Sequence, residues 1–283
     1  RTCYLPLRRG TLYPDELRRH FCKKGGMIAA QRLWLKAHGR LMCFLLGGVV
    51  SKGFLLSVIM PVWRESQSIE ATLSELQDLR SQGHEVIVVD AASDDGTAAF
   101  ARPLCDRVVV SEPGRAIQMN AGAAVSSADV LLFLHADTLL PATALSRLEN
   151  FAASPALWGR FDVRLSGQRR LFRLIGWFMN HRSRLTGVAT GDQAIFMRRS
   201  VFERLGGFAP IPLMEDVEIT TRLKRLSRPF FIADPVVTDS RRWQKQGPWR
   251  TVFLMWRIRW RYWRGESPER LAKLYRADVR NAD

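Results

Sequence analysis

A histidine, a carboxylate and a hydroxyl interrupt an apolar run between Leu131 and Pro141, where the sequence reads LLFLHADTLLP. The apolar residues predict a buried strand, and Asp137 lies at its predicted end. Burying a carboxylate without a partner costs considerable free energy, so Asp137 is expected to be paired, hydrogen-bonded or bound to a cation. This segment is therefore a candidate site for metal or phosphate chemistry.

Further acidic residues follow other apolar runs in the same way. Glu65 comes after the first predicted strand, and Asp90 closes the second, EVIVVD. An alternative is that such residues cap the next turn or helix, as Asp and Ser often do. That alternative applies most directly to Asp94 and Asp95 in AASDDGT, just before a predicted helix.

The elements that would position these residues are short apolar runs separated by helical segments. The runs SVIM, EVIVVD, DRVVV and DVLLFL alternate with stretches that have helical spacing. This alternation predicts an α/β fold with a mostly parallel central sheet and helices on both faces. The carboxyl ends of parallel strands meet at one edge, where ligands usually bind.

The usual glycine-rich phosphate loops are absent from the sequence. Neither G-x-G-x-x-G after the first strand nor G-x-x-x-x-G-K-[ST] occurs. A phosphate-bearing ligand would therefore need another anchor. A divalent cation on Asp137 is one solution, since Mg²⁺ often takes one or two protein carboxylates and otherwise binds phosphate oxygens and water.

The composition is strongly basic for a chain of 283 residues, with a formal net charge of +16. Such a charge predicts an anionic partner: a nucleic acid, a phospholipid surface or a phosphorylated substrate. The four cysteines show no C-x-x-C spacing and indicate neither a zinc site nor a disulfide framework.

Residues 1–53 precede the regular pattern and are predicted to be a leader or an extra helix of the domain. The run LMCFLLGGVV at residues 41–50 is shorter than the roughly 20 residues that cross a bilayer. It resembles the hydrophobic region of a signal peptide, although no clear cleavage site follows. Both alternatives stay open at this point.

From about residue 55 to residue 242, the sequence resembles family 2 glycosyltransferases, in particular non-processive bacterial members. Six segments carry the resemblance in order: SVIMPVWRE, VVDAASDDGT, GRAIQMNAG, LHADTLLP, GDQAIFMRRSVFERLGGF and MEDVEI. The resemblance implies a GT-A type nucleotide-diphospho-sugar transferase fold. It also implies a UDP-sugar or GDP-sugar donor, with Mn²⁺ or Mg²⁺ as cofactor.

The resemblance assigns the nucleotide site to the first two strand ends. Pro61, Val62 and Glu65 would form the first nucleotide-contacting loop, and Asp90 would hydrogen-bond the base. These roles follow from the matching motifs, and they place the donor at the same edge that the strand pattern predicts.

The resemblance also assigns the diphosphate and the metal. Arg115 and Asn120 lie in the segment that flanks the diphosphate and packs beneath it. Asp137 matches the last acid of the family's D-x-D element, which is the metal and diphosphate ligand. His135 occupies the first position of that element, where it would either contact the ligand or serve a structural role.

Transfer of the sugar to an acceptor hydroxyl requires a base, which the resemblance places at Asp216. Acid residues at a helix start can also serve only to offset the helix dipole. Glu215 would position its neighbour, and Asp192 would contact a sugar or acceptor hydroxyl. The expected reaction is a single displacement with inversion at the anomeric carbon.

One departure concerns processivity. Processive relatives carry Q-x-x-R-W, whereas only Arg242 and Trp243 of that motif remain in DSRRW. The resemblance therefore implies transfer of a single sugar, with Arg242 and Trp243 as candidate contacts to donor or acceptor.

The segment 241–283 is predicted to be a basic aromatic helical unit that follows a glycosyltransferase domain at 54–240. In WRTVFLMWRIRWRYWR, a helix would place Val252, Met255, Trp256 and Trp263 near one face. Such a helix suits a bilayer interface, although stacking on RNA or packing against the domain are alternatives. The first implies peripheral association with the cytoplasmic face of the cell membrane and a membrane-bound or lipid-linked acceptor.

Two rival classes are compatible with parts of this pattern. A basic RNA- or membrane-binding protein with an inactive transferase-like core would explain the charge, but not the three acids Asp90, Asp137 and Asp216. A nucleotidyltransferase would share the sheet, but it would be expected to carry a glycine-rich basic signature where PVWRE stands. The sequence therefore favours a glycosyltransferase for which nucleic acid is not the partner.

Overall fold

The computed structural model describes residues 54–280, except for the side chains of residues 242, 245, 246 and 278–280. The leader predicted at residues 1–53 lies outside the described residues. The strands are β1 (Leu56–Val62), β2 (Glu85–Asp90), β3 (Arg107–Val110), β4 (Val130–Phe133), β5 (Thr138–Leu139), β6 (Trp158–Leu165), β7 (Phe196–Arg198) and β8 (Phe230–Thr238).

Helices follow or separate most of these strands. They are α1 (Ile69–Ser74), α2 (Gln77–Ser81), α3 (Thr97–Ala101), α4 (Arg115–Val125), α5 (Ala144–Ala153), α6 (Arg170–Thr186), α7 (Arg199–Arg204), α8 (Glu215–Leu226), α9 (Arg241–Gln246), α10 (Pro248–Trp263) and α11 (Pro268–Arg280). Short 3-10 turns lie at Arg102–Leu104 and Gly191–Gln193. The predicted alternation of strands and helices is thus present.

In the described part of the chain, the strands form one sheet in the order β3-β2-β1-β4-β7-β6-β8-β5. The first four strands are parallel, as are β6 and β8. Strand β7 runs antiparallel to both β4 and β6, and β5 runs antiparallel to β8. The mostly parallel sheet is therefore confirmed, with antiparallel pairings that the sequence did not predict.

Both faces of the sheet are covered, because alternate residues of each central strand enter different cores. In β1, Val58 and Met60 pack with α1, α2 and α5, whereas Ile59 packs with α4, α7 and α8. Fully buried parallel strands are expected to read as continuous apolar runs. The carboxyl ends of the parallel strands meet at one edge of the sheet, and the loops that follow them lie at that edge.

Helix α4 packs very closely on this sheet. A Cβ added at Gly122 would lie 2.5 Å from Cγ2 of Ile59 and 2.9 Å from Cγ2 of Val89. Gly122 therefore lets the helix approach, and this approach fixes the position of Arg115 at the start of α4.

The C-terminal helices pack beside the beginning of α8. Ile258 of α10 and Leu271 of α11 are buried with Met214, the residue just before α8. Among the described residues, no helix has both the length and the apolar character needed to cross a bilayer.

The structure corrects the face predicted for α10. Its exposed side is a row of five aromatic residues, spaced alternately four and three positions apart: Trp249, Phe253, Trp256, Trp260 and Trp263. Val252 and Met255, predicted to share that face, are partly buried instead. The buried contacts of Ile258 set the rotation of the helix.

Candidate active site

Asp137 does not close a buried strand, contrary to the expectation from the sequence. Strand β4 ends at Phe133, and Asp137 lies in the following turn with an exposed side chain. One Oδ accepts a hydrogen bond from the Thr138 hydroxyl at 3.2 Å. Burial therefore does not require a partner for Asp137, and its carboxylate remains accessible to a ligand from solvent.

The turn of Asp137 also carries His135, which lies against Gly191. A Cβ at Gly191 would lie 2.6 Å from Nε2 of His135, so only glycine permits this approach without movement. Burial and the positive charge of Arg115 lower the pKa of His135 to about 4. Its imidazole is therefore neutral at pH 7.

Asp216 occupies the first turn of α8, as predicted, and its carboxylate is held from two sides. Oδ2 accepts a hydrogen bond from the Gly191 N–H at 2.8 Å, and Oδ1 accepts one from the Val217 N–H at 2.7 Å. Met214, with φ of 71°, turns the chain into this helix. These two hydrogen bonds from backbone N–H groups fix the orientation of the carboxylate.

A small pocket joins these residues at the edge of the sheet. Its lining contains Met119, Phe133, His135, Gly191, Ile195, Phe208, Glu215 and Asp216. Burial and the neighbouring charge of Asp216 raise the pKa of Glu215 from 4.5 to about 7. The site thus contains a carboxyl group that is partly protonated at neutral pH beside an oriented carboxylate.

Arg115 provides positive charge at the same place. Desolvation lowers the pKa of its guanidinium, but nearby groups that become negative on deprotonation outweigh this effect and raise it. Those groups are Glu215, Tyr275, Asp216 and Asp137. The structure therefore gathers Arg115, His135, Asp137, Glu215 and Asp216, which lie up to about a hundred positions apart in the sequence.

Asp90 is buried at the end of β2, and its carboxylate is occupied locally. It accepts hydrogen bonds from the Ser93 N–H at 3.0 Å and from the Ser93 hydroxyl at 2.5 Å. The Ser93 hydroxyl in turn accepts the Arg64 N–H at 2.9 Å. Asp90 therefore closes its turn, as the capping alternative predicted, and ties together the loops after β1 and β2.

The predicted nucleotide loop begins later than the sequence indicated. Pro61 and Val62 belong to β1 and are buried, and the Val62 carbonyl accepts a hydrogen bond from Gln118 at 2.8 Å. The Glu65 carboxylate accepts the Ser68 hydroxyl at 2.7 Å. Pro61 and Val62 consequently position the loop from within the strand, and Glu65 fixes its return into α1.

The side chains of Asn120 and Trp243 are engaged in contacts of their own. The Asn120 amide donates to the Phe208 carbonyl at 2.8 Å and accepts the Phe208 N–H at 2.9 Å. Trp243 packs against an apolar cluster that includes Phe172. The side chain of Arg242 lies outside the described part of the structure.

Asp192 lies in the turn that follows Thr190 and stands close to the charged groups. Its Oδ1 accepts the Thr190 hydroxyl at 2.5 Å. Its negative charge acts on His135 and on Arg182. The predicted location of Asp192 beside the candidate site is consistent with this arrangement.

Four residues near the site carry no motif and were not identified from the sequence. Arg182 comes from α6, Arg259 and Tyr262 from α10, and Tyr275 from α11. The charge of Asp216 reaches Arg182 and Tyr262, and Tyr275 acts on Arg115. The basic aromatic segment therefore contributes side chains to the site, which its composition did not indicate.

The raised pKa of Glu215 predicts a specific dependence of stability on pH. Folded Glu215 binds its proton more tightly than the unfolded chain does, so the free energy of unfolding falls between about pH 4.5 and pH 7. We expect Glu215→Gln to have a higher Tm than the parent above pH 7 and an equal Tm at pH 4. Thermal denaturation between pH 4 and pH 8 measures both.

Glu218→Gln is the matched control for that experiment. Glu218 lies in the same helical turn but pairs with Arg222 at 2.6 Å. Its loss is expected to lower Tm slightly at neutral pH. If the Tm of Glu215→Gln depends on pH in the same way as that of the parent, the pKa of Glu215 is not raised in the folded protein.

The mostly parallel sheet with helices on both faces is the fold of GT-A type glycosyltransferases. The structure resembles Pyrobaculum calidifontis mannosyltransferase PcManGT, solved with GDP-Man and Mn²⁺, at a TM-score of 0.53 and 27% identity, covering 72% of this chain and 60% of that one. It also resembles S. aureus TarS 1-349 at a TM-score of 0.53 and 18% identity, covering 65% of this chain and 60% of that one, which supports the fold alone. The model of glycosyl transferase family 2 matches residues 57–206, just over half of the chain, and the chain belongs to that family.

Two curated relatives agree with this family. The probable glycosyltransferase YdaM of Bacillus subtilis is 27% identical over 237 residues, covering 75% of this chain and 55% of the relative. The undecaprenyl-phosphate 4-deoxy-4-formamido-L-arabinose transferase of Aeromonas hydrophila is 29% identical over 163 residues, covering 51% and 48%. The chain thus spans about half the length of these relatives.

Proposed function

We propose that this protein transfers a single sugar from a nucleotide-sugar donor to an acceptor hydroxyl with inversion. The observation that carries the proposal is the oriented carboxylate of Asp216, fixed by the Gly191 N–H in the pocket at the sheet edge. Membership of glycosyl transferase family 2 supports the reaction class. Glycosyl transfer also requires positive charge close to the departing diphosphate, and Arg115 would supply it.

In this reaction Asp216 accepts the acceptor proton while the acceptor oxygen forms a bond to the anomeric carbon. The bond from that carbon to the diphosphate oxygen breaks on the opposite face, and the electron pair leaves with the nucleoside diphosphate. The charge of Arg115 stabilises the departing oxygens, because a fixed positive group favours developing negative charge. Glu215, half-protonated near pH 7, positions Asp216 and limits the negative charge around it.

The residues fit a divalent cation that binds together with the donor. Within the described residues, no group of three His, Cys, Asp or Glu side chains could hold a metal ion by itself. Mg²⁺ and Mn²⁺ favour oxygen ligands, and Mg²⁺ commonly uses one or two carboxylates plus substrate phosphates. The exposed carboxylate of Asp137 meets that requirement, and His135 is a candidate nitrogen ligand. When bound, the cation would stabilise the leaving diphosphate as a Lewis acid.

The donor is proposed to be a UDP- or GDP-sugar. The related mannosyltransferase solved with GDP-Man and Mn²⁺ supports this class. Isothermal titration of nucleoside diphosphates, with and without Mn²⁺, tests this proposal and identifies the nucleobase of the donor. Turnover of the nucleotide sugar is then measured as the rate at which the nucleoside diphosphate is released. A folded protein that binds none of these nucleotides would favour the rival hypothesis of a basic binding protein with an inactive core.

The acceptor is proposed to be lipid-linked or membrane-bound, at the cytoplasmic face of the cell membrane. The exposed aromatic row of α10, from Trp249 to Trp263, supports this, since interfacial helices place such side chains at headgroup depth. Trp177 and Phe178 of α6 are also more than half exposed. The net charge of +16 favours anionic lipid. The name of one relative contains undecaprenyl phosphate, which is a lipid phosphate.

Removal of two aromatic side chains should weaken membrane binding. Trp256 and Trp260 are 66% and 55% exposed, so their replacement by Ser removes apolar surface without opening the core. We expect Trp256→Ser/Trp260→Ser to lower the partition coefficient on anionic vesicles by at least about tenfold, because each side chain would bury a large apolar area in the interface. Vesicle flotation measures this partition.

The control for flotation is Phe100→Ser/Val110→Ser, which removes exposed apolar side chains far from α10 in the sequence. Phe100 and Val110 are 44% and 65% exposed. This control is expected to float like the parent. Equal flotation of the tryptophan variant, or an equal loss in the control, would count against an interfacial role of α10.

A further inference from the structure

Two arginines from separate helices lie together beside the proposed base. Arg182 belongs to α6 and Arg259 to α10, 77 positions later. Burial, followed by the positive charge of Arg259, lowers the pKa of Arg182 to about 10. Asp192 and Asp216 act in the opposite direction. The guanidinium group of Arg182 is therefore near that of Arg259 and near the carboxylate that would accept the acceptor proton.

These arginines hold buried hydrogen-bond donors that nothing satisfies. Nε and Nη2 of Arg182 and Nε of Arg259 are buried and have no acceptor in the described part of the protein. Arg160 and Arg222 also have a buried Nε without an acceptor, but their Nη1 and Nη2 atoms donate to backbone carbonyls. Arg198 likewise donates from Nε and Nη2 to three backbone carbonyls at 2.6–3.1 Å. Arg182 differs in that both Nε and Nη2 are buried without an acceptor. Buried donors without partners destabilise a fold, and more so when they are charged. Such an arrangement is expected where a ligand supplies the acceptors.

We propose that Arg182 and Arg259 bind an oxyanion, specifically a phosphate group carried by the acceptor. The inference rests on the proposed glycosyl transfer, because it assigns the group to the substrate that Asp216 deprotonates. A phosphate between the arginines would accept their free N–H groups and offset the repulsion of two like charges. Arg115 and Asp137 stand in the motifs assigned to the donor diphosphate, whereas Arg182 lies beside Asp192 and Asp216. The position therefore favours the acceptor over the donor.

The test uses inorganic phosphate and butyl phosphate as probes, titrated calorimetrically into the full chain that is saturated with a nucleoside diphosphate and Mn²⁺. Arg182→Gln and Arg259→Gln are each expected to weaken phosphate binding by about 10- to 100-fold, the loss typical of a charge-assisted hydrogen bond. Affinity for the nucleoside diphosphate should change less than twofold. The double variant should bind little more weakly than either single variant, since both side chains hold one anion.

Matched controls come from the same two helices. Arg173 of α6 and Arg257 of α10 are exposed, so Arg173→Gln and Arg257→Gln remove one charge each without touching the pair. Both should bind phosphate like the parent. Phosphate should also raise the Tm of the parent but not of the Arg182 and Arg259 variants. Without phosphate these variants should be at least as stable as the parent, whereas a purely structural arginine would lower Tm when removed.

Three outcomes would overturn the inference. Unchanged phosphate affinity in Arg182→Gln and Arg259→Gln would remove the site altogether. Weakened nucleoside diphosphate binding in these variants, with phosphate binding intact, would assign the arginines to the donor. Equal losses in the two controls would reveal adsorption to the basic surface. If the parent binds no nucleotide but phosphate binding still depends on both arginines, the oxyanion site stands while the proposed transfer fails.

Discussion

Replacement of Asp216 by Asn should lower the turnover number by about 10²- to 10⁴-fold, the range that a general base supplies. The amide oxygen of Asn can still accept the Gly191 N–H at the position that Oδ2 occupies, so the geometry of the pocket should persist. Asn cannot take a proton from the acceptor, however. The measured quantity is the rate of nucleoside diphosphate release from the nucleotide sugar in the presence of Mn²⁺.

The Asp216→Asn variant should bind the nucleotide nearly as tightly as the parent, although its turnover falls. Both kcat and kcat/KM should fall by similar factors, because the interaction is made in the transition state. Glu218→Gln, which alters a carboxylate in the same turn of α8, should keep most of the activity. A variant of Asp216 that retains more than about a tenth of parental turnover would exclude this residue as the base.

Replacement of Asp137 by Ala should remove the effect of Mn²⁺ on nucleotide binding. The exposed carboxylate of Asp137 is the hard oxygen ligand proposed for the cation, which would stabilise the negative charge of the donor diphosphate. Loss of a residue that only hydrogen-bonds to a metal ligand typically weakens metal affinity by about 10- to 100-fold. Loss of the ligand itself should weaken the metal-dependent affinity for the nucleoside diphosphate by at least this factor. Isothermal titration with and without Mn²⁺ measures this difference.

Asp129→Ala provides the matched control for Asp137. Asp129 is also exposed, and it directly precedes β4, whereas Asp137 follows that strand at its other end. Its removal changes the net charge equally, so its nucleotide affinity should remain that of the parent. If Mn²⁺ strengthens nucleotide binding equally in the parent and in Asp137→Ala, the cation has another ligand. If Mn²⁺ has no effect on the parent, the protein does not use it for the donor.

The sequence was sufficient for the class of fold, because parallel strands buried on both faces must be apolar throughout. Val58 and Ile59 enter different cores on opposite sides of β1, yet both positions require an apolar residue. The helix that carries Asp216 was predictable for a related reason, since its acids and its helical spacing are local features. Identification of the family from ordered motifs also needed no tertiary information.

Strand lengths were less predictable, because the ends of a strand depend on its partners. The apolar run LLFL suggested a strand that reached Asp137, but the ladder of β4 stops at Phe133 with β1 and at Leu132 with β7. The same limit applies to Pro61 and Val62, whose pairing with β2 extends β1 to its last residue. Apolar character reports burial, whereas hydrogen bonding between strands decides where the turn begins.

The residues of the candidate site show most clearly what the sequence determined and what the tertiary structure determined. The sequence by itself determined the family, the α/β sheet and the motif residues Asp137 and Asp216, because these depend on local pattern. Only the tertiary structure brought Arg182 close to Asp216 and to Arg259, and turned the aromatic row of α10 outward. Arginines within amphipathic helices look like solvent-exposed charges in a sequence. Their partial burial follows from how α10 and α11 pack beside the start of α8 and how α6 packs on β6, and that packing depends on contacts between residues far apart in the chain.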